Sequence, residues 1–132
     1  MTTNAGNTFF APELYINNGV MDISFYKNAF GATENLCFRN EDDSIHVVEL
    51  CIDGAIFHVH EITSKLFFPP DTHHGCTCCV GLFVPDVDAV MNQAIIAGAI
   101  EISPAQDYDY GYRQGTIKDP FGHYWQIQKK IG

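Results

Sequence analysis

Apolar side chains recur at two different spacings along the chain. After Asp86, the residues Val87, Val90, Met91, Ala94 and Ile95 fall at i, i+3, i+4, i+7 and i+8. That spacing lays them on one face of a helix. Asp86 suits the N-cap, and Gly98 can close the C-terminus in a positive-φ conformation. A second helix is predicted from about Val20 to Phe30, with Ile23, Tyr26 and Phe30 on one side and Gly31 at its end. Alternating patterns mark the strands. In the first half they are Phe10–Ile16, Thr33–Arg39, Ile45–Ile52 and Ala55–Ile62. In the second they are Thr77–Val84, Ile100–Ser103, Gln114–Lys118 and His123–Lys129. Thr63–Gly75, with Pro69-Pro70, reads as a linker, and Tyr108–Tyr112 as a loop.

The two halves repeat. Both helices end in Gly-Ala, and 67 residues separate Gly31 from Gly98. Aligning Gly54 with Gly122, an offset of 68, sets Phe57 on Trp125, Val59 on Ile127, His58 on Gln126 and His60 on Gln128. Strand side chains alternate between faces. Phe57, Val59, Trp125 and Ile127 are therefore expected on a helix-packed core face, and His58, His60, Gln126 and Gln128 on the opposite one. The expected fold is α+β, with two βαβββ modules, 8–62 and 76–130, joined by linker 63–75 into a cupped mixed sheet. The whole chain, 1–132, reads as one domain.

Composition narrows the function. Sixteen acidic residues against seven Lys and Arg give a formal charge of −9. Such a chain repels phosphate backbones and anionic lipid, which argues against nucleic-acid and membrane-surface roles. No stretch approaches the ~20 apolar residues that span a bilayer, and the first residues carry no signal-peptide pattern, so a cytoplasmic location is expected. Five cysteines, Cys37, Cys51, Cys76, Cys78 and Cys79, are an odd number, which suits free thiols in a reducing compartment.

Several constellations carry candidate chemistry. His58 and His60 share a strand face, so their imidazoles can flank one metal ion or one polar ligand; the plain alternative is two half-exposed histidines. The cluster His73–Cys79 (HHGCTCC) invites a zinc reading, yet it has no second Cys or His pair, and Cys78 and Cys79 point to opposite faces of a strand. Arg113 can hold an anionic substrate or pair with Asp119 or another nearby acid. Glu49 reads as an ordinary strand carboxylate, Asp119-Pro120-Phe121-Gly122 as a turn, and the tyrosines at 108, 110 and 112 as a lid over a pocket or a packed loop.

The run Arg113–Trp125 (R-x-G-x-x-x-D-P-F-G-H-x-W), with the helix segments Phe25–Ala32 (FYKNAFGA) and Pro85–Ala99, resembles the signatures of the glyoxalase/bleomycin-resistance/dioxygenase proteins, the vicinal oxygen chelate superfamily, and most of all its PhnB-like branch. The resemblance implies four strand positions for metal ligands: Pro12, His58, Cys79 and Gln126. Pro12 has no ligand atom and Cys79 is a soft thiol, so the metal candidates are His58, Cys79 and Gln126, with Zn, Ni, Mn or Fe as the divalent ion. His60, Gln128, Tyr124 and Arg113 are the candidate ligand-binding residues. The resemblance also implies a homodimer and a small-molecule ligand. Two functions follow: a metal-dependent isomerase, lyase or dioxygenase that polarises a substrate carbonyl or oxygen, or a non-catalytic drug- or metabolite-binding protein with a degenerate metal site. A third reading makes the cup mainly a dimer interface.

Overall fold

The computed structural model describes residues 6–70 and 75–132. The first half opens with β1 (Glu13–Ile16), followed by α1 (Phe25–Phe30), β2 (Thr33–Arg39), β3 (Ile45–Ile52) and β4 (Ala55–Glu61). The second runs β5 (Val80–Phe83), α2 (Val87–Ala97), β6 (Ile100–Tyr108), β7 (Tyr112–Lys118) and β8 (Tyr124–Lys130). Each half forms a four-stranded mixed sheet, ordered β1-β4-β3-β2 and β5-β8-β7-β6. The first strand of each pairs in parallel with the last, and the remaining pairs are antiparallel. The fold is α+β with two βαβββ modules, and its cup consists of two sheets rather than one.

The helices lie where the apolar spacing puts them, with one difference. α2 starts at Asp86, whose carboxylate accepts from the Ala89 N–H at 3.1 Å. α1 is shorter than the expected Val20–Phe30. The Val20 carbonyl accepts from the Ile45 N–H at 2.7 Å, and Asp22 accepts from the Ser24 N–H at 2.8 Å. Both bonds hold the chain in a non-helical path until Ser24. β6 is longer than the expected Ile100–Ser103. It runs on through Pro104 because β6 is an edge strand, and its ladder skips from Ser103 to Gln106. The missing proline N–H therefore leaves no gap in the sheet.

The core gathers where the halves meet. Phe57 and Val59 of β4, and Trp125 and Ile127 of β8, are buried. Phe57 meets Trp125 edge-on, with ring centroids 5.5 Å apart, and Tyr26 of α1 lies 5.2 Å from Phe57 and 5.8 Å from Trp125. Burying side chains of this size stabilises by roughly 1.5–3 kcal/mol each. Asp119, also buried, joins the halves. Its Oδ2 accepts from the Tyr26 hydroxyl at 2.6 Å and the Trp125 indole N–H at 3.0 Å, and its Oδ1 from the Phe121 and His123 N–H groups. The Asp119–Gly122 segment is the expected turn, with Gly122 at φ 98°.

Candidate functional site

With Phe57 and Val59 committed to the core, alternation turns His58 and His60 to the other face of β4. Its neighbours supply the rest. Parallel pairing sets Glu13 beside His58 and Tyr15 beside His60; antiparallel pairing sets Glu49 opposite His58. The His58 and His60 ring centroids are 5.8 Å apart. His58 Nε2 lies 3.1 Å from Glu49 Oε1, and the Asn35 amide donates to Glu49 Oε2 at 3.0 Å. The Asn35 hydrogen bond, seconded by His58, holds the Glu49 carboxyl below the usual range. An ionised Glu49 only accepts, so His58 carries its proton on Nε2 and keeps the Nδ1 lone pair free.

His60 is in a different state. Its Nε2 is buried and has no hydrogen-bond partner. Glu13 Oε1 is 3.2 Å away but outside hydrogen-bonding geometry. Burial lowers the His60 pKa, against the pull of Glu13 and with help from His58 and His46. Tyr15 packs beside this imidazole, with ring centroids 5.6 Å apart, and itself stacks on Phe67 at 4.0 Å. Ligand atoms of Glu13, His58 and His60 all lie within 4.8 Å of one another, the one such convergent group among the described residues. Two imidazoles and a carboxylate suit a divalent ion of the Zn, Ni, Mn or Fe class. The orphaned His60 nitrogen is the observation that makes the fit: a buried polar atom normally finds a partner.

The second sheet presents neutral groups in the corresponding places. Gln126 pairs with Gly81 and Thr116, and Gln128 with Phe83 and Gln114. The Gln114 amide donates to Gln128 Oε1 at 2.8 Å, and the Tyr110 hydroxyl donates to Gln114. A side chain on Gly81 would begin 2.8 Å from Gln128 Nε2, so the place matching Glu13 has no side chain and the Gln128 amide reaches over it.

The sequence-derived candidates therefore divide. His58 and His60 come together. Gln126 and Gln128 share the equivalent face of the other sheet. Cys79 lies against the Gln126 main chain, outside the convergent group, and its thiol pKa is raised by desolvation and by Cys76 and Cys78. Arg113 does not join a ligand face. It sits on the helix side of β7, 2.8 Å from Asp88 of α2 and 2.9 Å from Asp107, so its acidic partners are these two and not Asp119. Tyr124 lines a separate cavity of about 410 Å³ with Leu14, Phe68, Cys76, Cys78 and His123. The tyrosines expected as a lid form a stack, Tyr108 on Tyr110 at 5.4 Å and Tyr110 near Tyr112 at 5.9 Å. In the His73–Cys79 cluster, both histidines lie outside the described residues.

Sequence reasoning missed Glu13 and undervalued Glu49. Pro12 and Cys79, the pair that the resemblance implies, are 67 residues apart, the offset of the two helices. The register instead equates Glu13 with Gly81, because Glu13 pairs with His58 and Gly81 with Gln126. The 68-residue offset found from Gly54 and Gly122 selects that same pair.

No protein-family model matches the chain. An uncharacterized Arabidopsis thaliana protein, At5g48480, is 30% identical over 116 residues, covering 82% of this chain and 69% of that protein. Its crystal structure matches with a TM-score of 0.70 at 26% identity, over 91% of this chain and 97% of that one. The uncharacterized Mycobacterium bovis protein Mb0911c is 28% identical over 125 residues, 92% of this chain and 82% of that protein. TioX from Micromonospora sp. ML1 matches with a TM-score of 0.67 at 25% identity, over 95% and 98% of the two chains. The fosfomycin resistance protein FosX from Listeria monocytogenes shares the fold, with a TM-score of 0.68 at 15% identity over 95% and 94%. A glyoxalase/bleomycin resistance protein/dioxygenase family enzyme from Burkholderia phytofirmans shares it as well, with a TM-score of 0.61 at 21% identity over 89% and 97%. Two βαβββ modules and this set of structures agree: the chain is a relative of At5g48480 and has the fold of the glyoxalase/bleomycin resistance protein/dioxygenase family enzymes.

Proposed function

We propose that the chain is a small-molecule enzyme of the glyoxalase type, of the PhnB-like branch, which holds a divalent Zn, Ni, Mn or Fe ion through Glu13, His58 and His60. One observation carries the reading: the buried, unpartnered Nε2 of His60 stands in a group of ligand atoms within 4.8 Å of one another. When bound, the ion supplies Lewis acidity that polarises a substrate carbonyl or oxygen. The chain's own residues do the rest. Glu49 receives the His58 Nε2 proton in a hydrogen bond and fixes that ring with Nδ1 free, while Asn35 fixes Glu49 in turn. Tyr15, backed by Phe67, covers one side of His60 and limits water. The Gln114–Gln128 pair offers uncharged donors and acceptors to the substrate's polar edge. The working form is a cytoplasmic homodimer, one domain over 1–132, in keeping with five free cysteines.

The test starts from tag-free, reduced, chelator-stripped protein titrated with each of the four ions by calorimetry. One ion per chain is expected. His58→Ala should abolish uptake, Glu13→Gln should weaken it at least tenfold, and Cys79→Ser should leave it unchanged. Uptake by the protein with a matching rise in melting temperature would follow from linkage, about 2.7 kcal/mol at a free ion concentration one hundred times Kd.

The second reading, a non-catalytic binding protein, draws on Gly81: where the first half has Glu13, the second has no side chain, and its neighbours Gln126 and Gln128 are uncharged amides. Absence of uptake for all four ions would replace the enzyme with this reading.

A further inference from the structure

A second site lies away from the imidazole–carboxylate face. Residues 68–70 and 75–78, with Leu14 of β1 and residues 122–124 before and at the start of β8, line an open cavity of about 410 Å³ that includes Tyr124. Its wall is chiefly apolar: Leu14, Phe68, Val80 and the Tyr124 ring. None of Glu13, His58, His60, Gln126 and Gln128 lines it. Cys76 and Cys78 do, both free and exposed. Cys79, one residue on, turns towards Gln126. His123 completes the lining. Its Nε2 lies 2.8 Å from the Tyr15 carbonyl oxygen, which only accepts. His123 therefore carries its proton on Nε2, and Nδ1 keeps a lone pair.

We propose that this cavity is a binding site for compact apolar α,β-unsaturated carbonyl compounds, captured covalently by the thiol of Cys76 or Cys78. A mostly apolar cavity of this size takes an apolar body. Thiolate is a soft nucleophile, and the conjugated β-carbon is the soft electrophile that an apolar body can carry into such a space. The step balances without an added reagent. The thiolate sulfur bonds to the β-carbon, the carbon–carbon π bond breaks, its electron pair moves to the α-carbon, and the proton released by the thiol ends there.

The probe is 4-phenylbut-3-en-2-one, with the saturated 4-phenylbutan-2-one as its unreactive counterpart. Both are applied to reduced full-length protein and followed by intact mass and peptide mapping. The expected result is one adduct per chain, confined to Cys76 or Cys78. Its rate should level off as probe concentration rises, because reversible binding precedes addition, and the saturated ketone should slow it competitively. The C76S/C78S double variant should lose the adduct and still bind the saturated ketone, detected by shifts of the Leu14 and Val80 methyl resonances. A rate that stays linear in probe and indifferent to the saturated ketone would overturn the proposal. So would labelling of Cys37, Cys51 or Cys79 at a similar rate. The rates are measured on chelator-stripped protein, so the outcome is independent of the metal titration.

Discussion

Asp119 shows how one side chain's chemistry fixes its place. Both carboxylate oxygens are occupied: Oδ2 by the Tyr26 hydroxyl and the Trp125 indole, Oδ1 by two backbone N–H groups. All four partners are donors, so the site needs an acceptor on each side. Burial and the Asp119 charge together raise the Tyr26 pKa well above its ordinary value, which keeps that hydroxyl a donor throughout the physiological range. An amide of the same shape would offer an NH2 where two donors already point. Asp119→Asn is therefore expected to destabilise almost as much as Asp119→Ala, on the order of 3 kcal/mol, because each strands buried donors. Urea unfolding checks this. An Asn variant within ~0.5 kcal/mol of wild type would mean the carboxylate is not the acceptor of both side-chain bonds. The turn itself was legible from Asp-Pro-Phe-Gly, but the buried network was not, since Tyr26 lies ninety-three residues away.

Packing of α2 on its sheet turns on Gly115. A Cβ there would begin 2.7 Å from Met91 Cε and 3.1 Å from the Ala105 backbone nitrogen. The methionine can swing aside; the backbone of β6 cannot. Gly115→Ala should cost about 1–3 kcal/mol by overpacking, and adding Met91→Ala should recover only the part due to the side chain. A double-mutant cycle of melting curves separates the two; full rescue would assign the whole clash to Met91. This scale also shows what the sequence made readable. The helix and strand periods, the glycine stops and the repeat placed Phe57, Trp125, His58 and His60 on their proper faces. Residues whose position depends on register went astray. Glu13 escapes notice because the pair implied by the resemblance, Pro12 and Cys79, keeps the helix offset of 67, whereas β1 and β5 follow the offset of 68. The identity of the acid beside Arg113 is not legible, because nothing local reveals that Asp88, on a helix, crosses its strand.

At the scale of the molecule, the two sheet faces divide the chemistry. The first gathers carboxylates and imidazoles; the second gathers amides and aromatic rings. Both leave large apolar side chains open to water in the single chain: Phe38 is 55% exposed on β2, and Phe83 is 60% exposed on β5, with Leu36, Phe67 and Tyr110 nearby in kind. A chain with a charge of −9 keeps such groups at the surface at a cost in solvation that a partner would remove. No helix among the described residues is long and apolar enough to cross a membrane, so a bilayer is not reached that way. In the proposed homodimer a second copy covers these faces, and self-association requires no charge complementarity beyond apolar contact at its centre. Phe38→Asp and Phe83→Asp replace side chains that already face solvent within one chain, so each should alter the chain's own stability by no more than ~0.5 kcal/mol. Each should nevertheless shift the light-scattering mass from two chains towards one at micromolar concentration. A wild-type mass of one chain would remove the dimer from the reading. Variants that stay dimeric would move the contact to other surfaces and leave these aromatic faces free for ligand.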